Sequence, residues 1–125
     1  MSEQENRIVL ERLVQAFQER DADAVDDLVH DDVVEEYPQS GERIKGKQNY
    51  LSVFENIPLM PNVLEYRLTL SGDLAIAERT VQYGTNRSYN TAITEMEDGK
   101  VKRARQYFAA PFEAPQWRAQ WVDRM

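Results

Sequence analysis

Four side chains in this sequence carry the means for acid–base chemistry: Glu35, Tyr37, Arg79 and Gln106. Glu35 and Tyr37 lie two apart in the β-prone run Val33 to Tyr37, so strand alternation turns them, with Val33, to one face. A carboxylate held beside a phenol on a covered face is a candidate general base. Burial penalises the charged form and draws a carboxyl toward the range where it exchanges protons near neutral pH. A strand turned by one residue would present Glu36 instead, and a bulge near Pro38 would expose both. Arg79 shares a strand face with Ala77, Val81 and Tyr83. Its planar fork of donors suits that carboxylate, an anionic ligand group, or an ordinary cross-strand ion pair. Gln106 and Tyr37 offer hydrogen bonds without a transferable charge at neutral pH, which fits orienting a carbonyl or hydroxyl or satisfying a buried polar network.

Composition narrows the chemistry further. The 125 residues, 42% of them hydrophobic, fit one domain over residues 1–125 with a single core. Fifteen basic against 22 acidic residues leave a net charge of −7, which repels a phosphate backbone or an anionic bilayer. Neither nucleic acid nor a membrane is expected as a partner. No apolar run reaches the length of a membrane span and the first residues are acidic and polar, so a cytoplasmic protein is expected. The chain has no cysteine, which removes disulfides, thiolate catalysis and sulfur-based zinc sites, and its one histidine, His30, does not make a multi-histidine metal centre. No metal and no cofactor are expected.

The elements that must position these residues can be read from periodicity. Leu10, Leu13, Val14 and Phe17 recur at helical spacing between Glu3 and Arg20, giving an amphipathic helix. Asp21 caps a second, shorter helix carrying Ala24, Val25 and Leu28 on one side, and His30 then sits as a cap at its C-terminal end. Val33 to Tyr37 is a short strand followed by a loop at Pro38-Gln39-Ser40-Gly41. Tyr50, Leu51, Phe54 and Ile57 mark a third helix, stopped by Pro58 and Pro61. Beyond Val63 the texture becomes β-branched and aromatic. Breaks at Ser71-Gly72-Asp73, near Gly84 and at Glu97-Asp98-Gly99 divide it into four antiparallel strands, about 63–70, 74–83, 87–96 and 100–108. Pro115, Trp117 and Trp121 suggest a short C-terminal helix with both indoles on one side.

Three helices, a strand between the second and third, and a four-stranded meander resemble the nuclear-transport-factor-2-like superfamily. Glu35 to Glu42, then Ile44-Lys45-Gly46, and Gly99-Lys100-Val101 leading to Arg105-Gln106-Tyr107-Phe108, resemble its SnoaL-like members. The resemblance implies an α+β fold: a cone-shaped, strongly curved, mostly antiparallel sheet wrapped around three N-terminal helices, a cystatin-like α+β roll. It also implies a ligand pocket at the open end of the cone. The superfamily includes polyketide cyclases, ketosteroid isomerases, epoxide hydrolases, dehydratases and non-catalytic proteins, so fold leaves function open.

Compared with such relatives the usual acids are altered. Ketosteroid isomerases carry a base aspartate before the proline that ends the first strand, where this chain has Tyr37 before Pro38. Against limonene-type epoxide hydrolases, Tyr37, Gln39 and Arg79 are the same or similar, but Val81 and Gln106 replace the two aspartates. In the cyclases a base aspartate sits late in the sheet, and Gln106-Tyr107-Phe108-Ala109 supplies no carboxylate. Along the last strand Ala104, Gln106 and Phe108 form the more apolar set and are placed inward. Glu35, Tyr37, Arg79 and Gln106 remain as the catalytic set. Gln39, Phe54, Tyr66, Tyr83, Phe108 and Trp117 are the expected ligand contacts, with Phe17 assigned to the core and Trp117 and Trp121 to the pocket mouth or a subunit contact. The expected function is binding of a small apolar or mixed-polarity molecule, with cofactor-independent isomerisation, aldol cyclisation or dehydration as its chemistry. A non-catalytic homodimeric carrier or sensor is the alternative. A homodimer is expected in either case, because the outer sheet face needs a cover.

Overall fold

In the computed structural model, which describes residues 2–125, the chain opens with helix α1 (Glu3–Glu19). The Ser2 hydroxyl caps its start by accepting from the Glu5 amide at 3.1 Å, and Arg20 ends it in the left-handed conformation. Helix α2 (Ala22–Leu28) starts on Asp21, whose carboxylate accepts from the Ala24 amide. Strand β1 (Val29–Tyr37) follows without a break, starting four residues earlier than the sequence predicts. His30 therefore lies inside β1 instead of capping α2: its Nδ1 accepts from the Asp32 amide and its Nε2 lies 3.2 Å from Glu97. The loop expected after Tyr37 is a tight turn into a short strand, β2 (Glu42–Lys45), which pairs back onto β1. Helix α3 (Lys47–Glu55) then delivers Tyr50 and Phe54 to the core.

The meander consists of β3 (Asn62–Ser71), β4 (Leu74–Tyr83), β5 (Asn86–Glu97) and β6 (Lys100–Ala109), close to the predicted spans. Asp98 and Gly99 both take positive φ, 53° and 72°, as the two-residue turn between β5 and β6 requires. Strand order across the six-stranded sheet is β2-β1-β6-β5-β4-β3, and every neighbouring pair is antiparallel except β1 with β6. The predicted C-terminal helix is a single 3₁₀ segment, Gln116–Trp121, with both indoles 73% exposed. Proline fixes its entry, but no apolar partner among the described residues rewards a longer helix.

The helices lie on the concave face of the sheet. Val25, Val29, Val33 and Val101 are fully buried where α2 and β1 meet β6. At the far end α1 is fixed by polar contacts. Buried Asn6 donates to the Gly72 carbonyl and to Asp73, Glu3 accepts from the Gly72 amide, and Arg7 donates to the Leu68 carbonyl. These contacts hold one end of α1 against the β3–β4 turn, so the C-terminal half of the helix, with Leu13, Val14 and Phe17, faces the opening between helix and sheet. No helix among the described residues is long and apolar enough to cross a membrane.

Candidate functional site

A cavity of about 200 Å³ lies in that opening. Its helical wall is Leu10, Leu13, Val14 and Phe17 of α1 with Tyr50 of α3. Ile57, Met60 and Pro61 edge it, and the concave faces of β1, β3, β4, β5 and β6 supply the rest. The volume falls below the roughly 300–1,000 Å³ of pockets for drug-sized molecules, so the space suits a single ring or a short branched chain.

Strand alternation sends Glu35, Tyr37, Arg79 and Gln106 to this cavity. Glu35 is 6% exposed, while Glu36 faces the outside, where Arg43 donates to it from Nε and Nη2 at 3.0 and 2.9 Å and Arg103 and Arg105 stand at 3.8 and 3.6 Å. The Arg43 hydrogen bonds hold the Glu36 carboxyl below the usual carboxylate range. The two neighbouring glutamates thus occupy opposite environments, one in an arginine cluster on the surface and one inside.

Four adjacent strands contribute to one hydrogen-bonded chain. Arg79 of β4 donates from Nη1 to Asn90 Oδ1 at 2.7 Å. Asn90 of β5, 4% exposed, donates from Nδ2 to Gln106 Oε1 at 3.1 Å and to the Tyr107 carbonyl at 2.9 Å. Gln106 of β6 donates from Nε2 to Glu35 Oε1 at 2.8 Å, and Tyr37 of β1 donates its hydroxyl to Glu35 Oε2 at 2.7 Å. The chain has a fixed direction. A cation at one end must meet a carbonyl and an anion at the other must meet an N–H, so flipping either amide would set like dipoles against each other. Glu35 and Arg79 do not pair directly; two amides separate them.

The surroundings bias each member. Burial first, then the charge of Glu35 and its hydrogen bond, push the Tyr37 phenol far above its ordinary value, so Tyr37 remains a neutral donor. Burial also raises Tyr50, Tyr66 and Tyr83 and lowers Arg79, whose guanidinium lies 5.7 Å from the centre of the Tyr66 ring. Arg79 Nε is buried with no acceptor, a state that costs about 1–3 kcal/mol.

Other expected contacts divide. Tyr66, Tyr83 and Phe108 line the cavity, with Phe108 half-exposed at its rim and its ring 6.2 Å from that of Tyr37. Phe54 and Phe17 exchange the roles expected of them. Phe54 is 3% exposed and sits behind Phe17, ring centroids 4.7 Å apart, while Phe17 faces the cavity. The sequence gives both the same helical spacing and does not say which is nearer the sheet. Gln39 does not line the cavity: its amide donates to the Phe108 carbonyl and accepts from the Phe108 amide, pairing with the end of β6 as a strand would. Trp117 is likewise absent from the lining.

Sequence reasoning missed Asn90 and Tyr50. Asn90 belongs to the set Asn90, Ala92 and Thr94, and the opposite set on β5, Tyr89, Thr91 and Ile93, is the more apolar. Hydrophobicity alone would turn that strand inside out. The usable signal was register, since the hairpin at Gly84 sets Asn90 directly opposite Arg79.

The sequence model of the SnoaL-like domain matches residues 10–104. An NTF-2-like protein of unknown function from Burkholderia xenovorans LB400 is 40% identical, with a TM-score of 0.87 over 100% of this chain and 98% of that one. A candidate ketosteroid isomerase from Kribbella flavida is 25% identical, TM-score 0.90, over 98% of this chain and 90% of that one. An LEH-like epoxide hydrolase from M. tuberculosis is also 25% identical, TM-score 0.69, over 84% and 83%. No curated protein matches the sequence.

Proposed function

Because this chain belongs to the SnoaL-like family, whose fold it adopts, we propose that its cavity binds a small molecule of mixed polarity and that Glu35 exchanges a proton with it. The observation that carries this reading is the directed chain from Arg79 to Glu35. It holds a buried carboxylate in one orientation inside an apolar cavity, with no cation paired to it among the described residues. Glu35 takes a proton from a carbon next to a carbonyl, and the bonding pair moves into the carbonyl to form an enolate. With a β,γ-unsaturated ketone, returning the proton from Glu35 to the γ carbon gives isomerisation; attack of the enolate on a second carbonyl, whose alkoxide takes the proton back, gives aldol closure; and departure of a β-hydroxyl as water, with the proton from Glu35, gives dehydration. Gln106 and Tyr37 keep the base oriented through this step, and Tyr37, held neutral, does not compete for the proton. Neither metal nor organic cofactor enters the step.

The test is exchange of α-hydrogens for deuterium in small cyclic ketones, followed by nuclear magnetic resonance. Wild-type protein should accelerate it and Glu35→Gln should lower the rate by about a hundredfold or more. Equal rates in both proteins would remove Glu35 as a base.

A second reading, a homodimeric carrier or sensor, has one specific observation in its favour. Among the described residues Glu35 is the sole carboxylate lining the cavity, and both of its oxygens already accept hydrogen bonds. Persistent binding of a ketone without exchange would select it. Exposed Leu74, Ile76, Tyr89 and Tyr107 on the outer sheet face support a homodimer in either reading, and light scattering at micromolar concentration giving a mass near 14.6 kDa would reject it.

A further inference from the structure

The proton-transfer reading leaves one side of Arg79 without a use. Nη1 donates to Asn90, Nε is buried without an acceptor, and nothing among the described residues accepts from Nη2. No carboxylate among the described residues lies within ion-pair distance of this guanidinium, whereas Arg43, Arg67, Arg103 and Arg105 on the surface all have one. One face of the guanidinium lies toward the Tyr66 ring, and the other polar groups near it in the lining, the phenols of Tyr50 and Tyr83 and the amide of Asn90, are neutral. Among the described residues Arg79 is also the only cation lining the cavity. Nε is sealed from the cavity, so the edge this partly buried guanidinium offers a ligand is Nη2 together with the second N–H of Nη1.

We propose that this edge binds the carboxylate of a small apolar acid, so that the substrates are compact monocarboxylic acids whose reacting carbon points toward Glu35. The proposal rests on the cavity being the ligand site. A carboxylate matches the fork in shape and carries the least charge of the anions that do, which matters because Glu35 already shares the cavity with Arg79. A phosphate monoester, with nearly two charges, would add a second uncompensated charge beside Glu35. A neutral carbonyl would use one donor and leave the rest of the edge unmet. The far end of the molecule is fixed by sheet geometry. Arg79 and Glu35 hang from strands three spacings apart, and the register sets Glu35 level with Ala75, four residues from Arg79, so their backbones would stand roughly 19 Å apart in a flat sheet and closer across this concave face. Asn90 and Gln106 fill the floor between them. A ring or short chain bound at Arg79 and lying over those amides brings its distal carbons to Glu35, and a cavity of about 200 Å³ admits little more.

The experiment compares cyclohexanecarboxylate with cyclohexanecarboxamide, equal in shape and different in charge, by isothermal titration calorimetry at neutral pH. Wild-type protein should bind the acid about tenfold to a hundredfold more tightly than the amide, the range expected of a charge-assisted pair. Arg79→Gln should abolish that preference and Glu35→Gln should retain it. The nitrogen-15 resonance of Arg79 Nε–H in wild-type protein gives a readout that needs no variant to fold, and it should shift with the acid and not with the amide. Equal affinity for the two probes, or an Nε–H signal that ignores the acid, would overturn the proposal. Its failure is separable from that of the base assignment: exchange of cyclic ketones depends on Glu35, whereas the acid-over-amide preference depends on Arg79.

Discussion

Asn90 is the residue whose chemistry is least replaceable, because it alone joins the cationic half of the site to the anionic half. It accepts from Arg79 and donates to both Gln106 and the Tyr107 carbonyl. Removing it leaves several buried groups short of partners, at about 1–3 kcal/mol for each group left unmet. Asn90→Leu should therefore lower unfolding free energy by roughly 2–4 kcal/mol in urea denaturation, although leucine is more hydrophobic and similar in size. An unchanged midpoint would show that the chain of amides contributes nothing to folding. The site was legible from sequence where a polar residue shared an alternating face with obvious core residues, as Glu35 does with Val33 and Gln106 with Ala104. It was illegible at Asn90, where the outer face of β5 is the more apolar, and at Gln39, whose amide is spent on the backbone of Phe108 by a contact 69 residues away.

At the level of elements, the helices and the meander follow directly from period and turn chemistry, but β2 and the true start of β1 do not. Four residues are too few to show alternation, and Val29 to Asp32 carries charges that look like a helix end until its pairing with β6 is known. The hinge between β2 and α3 is Gly46, at φ 85° and ψ 154°, a conformation open almost only to glycine. Its amide donates to the Val33 carbonyl at 2.7 Å, so the bend that launches α3 is tied to the middle of β1. Nothing lies within 4 Å of a Cβ built at this position, so any penalty of Gly46→Ala is backbone strain alone. The expected loss is about 1–3 kcal/mol by thermal or urea unfolding, and a loss within experimental error would mean that the loop relaxes freely.

For the whole molecule, the cavity makes alkaline stability a sensitive property. Tyr37, Tyr50, Tyr66 and Tyr83 all have phenols raised above their ordinary value of 10.0, in each case chiefly by burial. The folded protein therefore holds these protons more tightly than the unfolded chain does. Their contribution is complete below pH 10.0 and shrinks as pH rises above it, where only the unfolded chain releases them. In a protein carrying Tyr89→Phe and Tyr107→Phe, which leaves only these four rings, phenolate absorbance should appear together with loss of circular dichroism, and a smooth titration of the folded protein well before unfolding would contradict it. The parallel ladder between β1 and β6 has a different consequence, in time instead of energy. Glu35 pairs in register with Ala104, more than half of the chain away in sequence, so the site's base is enclosed only after the entire meander has closed. Shortening the fully buried Val101 to alanine at this seam should cost about 2 kcal/mol. Most of that loss should appear as faster unfolding, with the refolding rate nearly unchanged in stopped-flow measurements. A chain emerging from synthesis would then carry a formed hairpin array before it has any pocket, and could bind nothing there until β6 is docked beside β1.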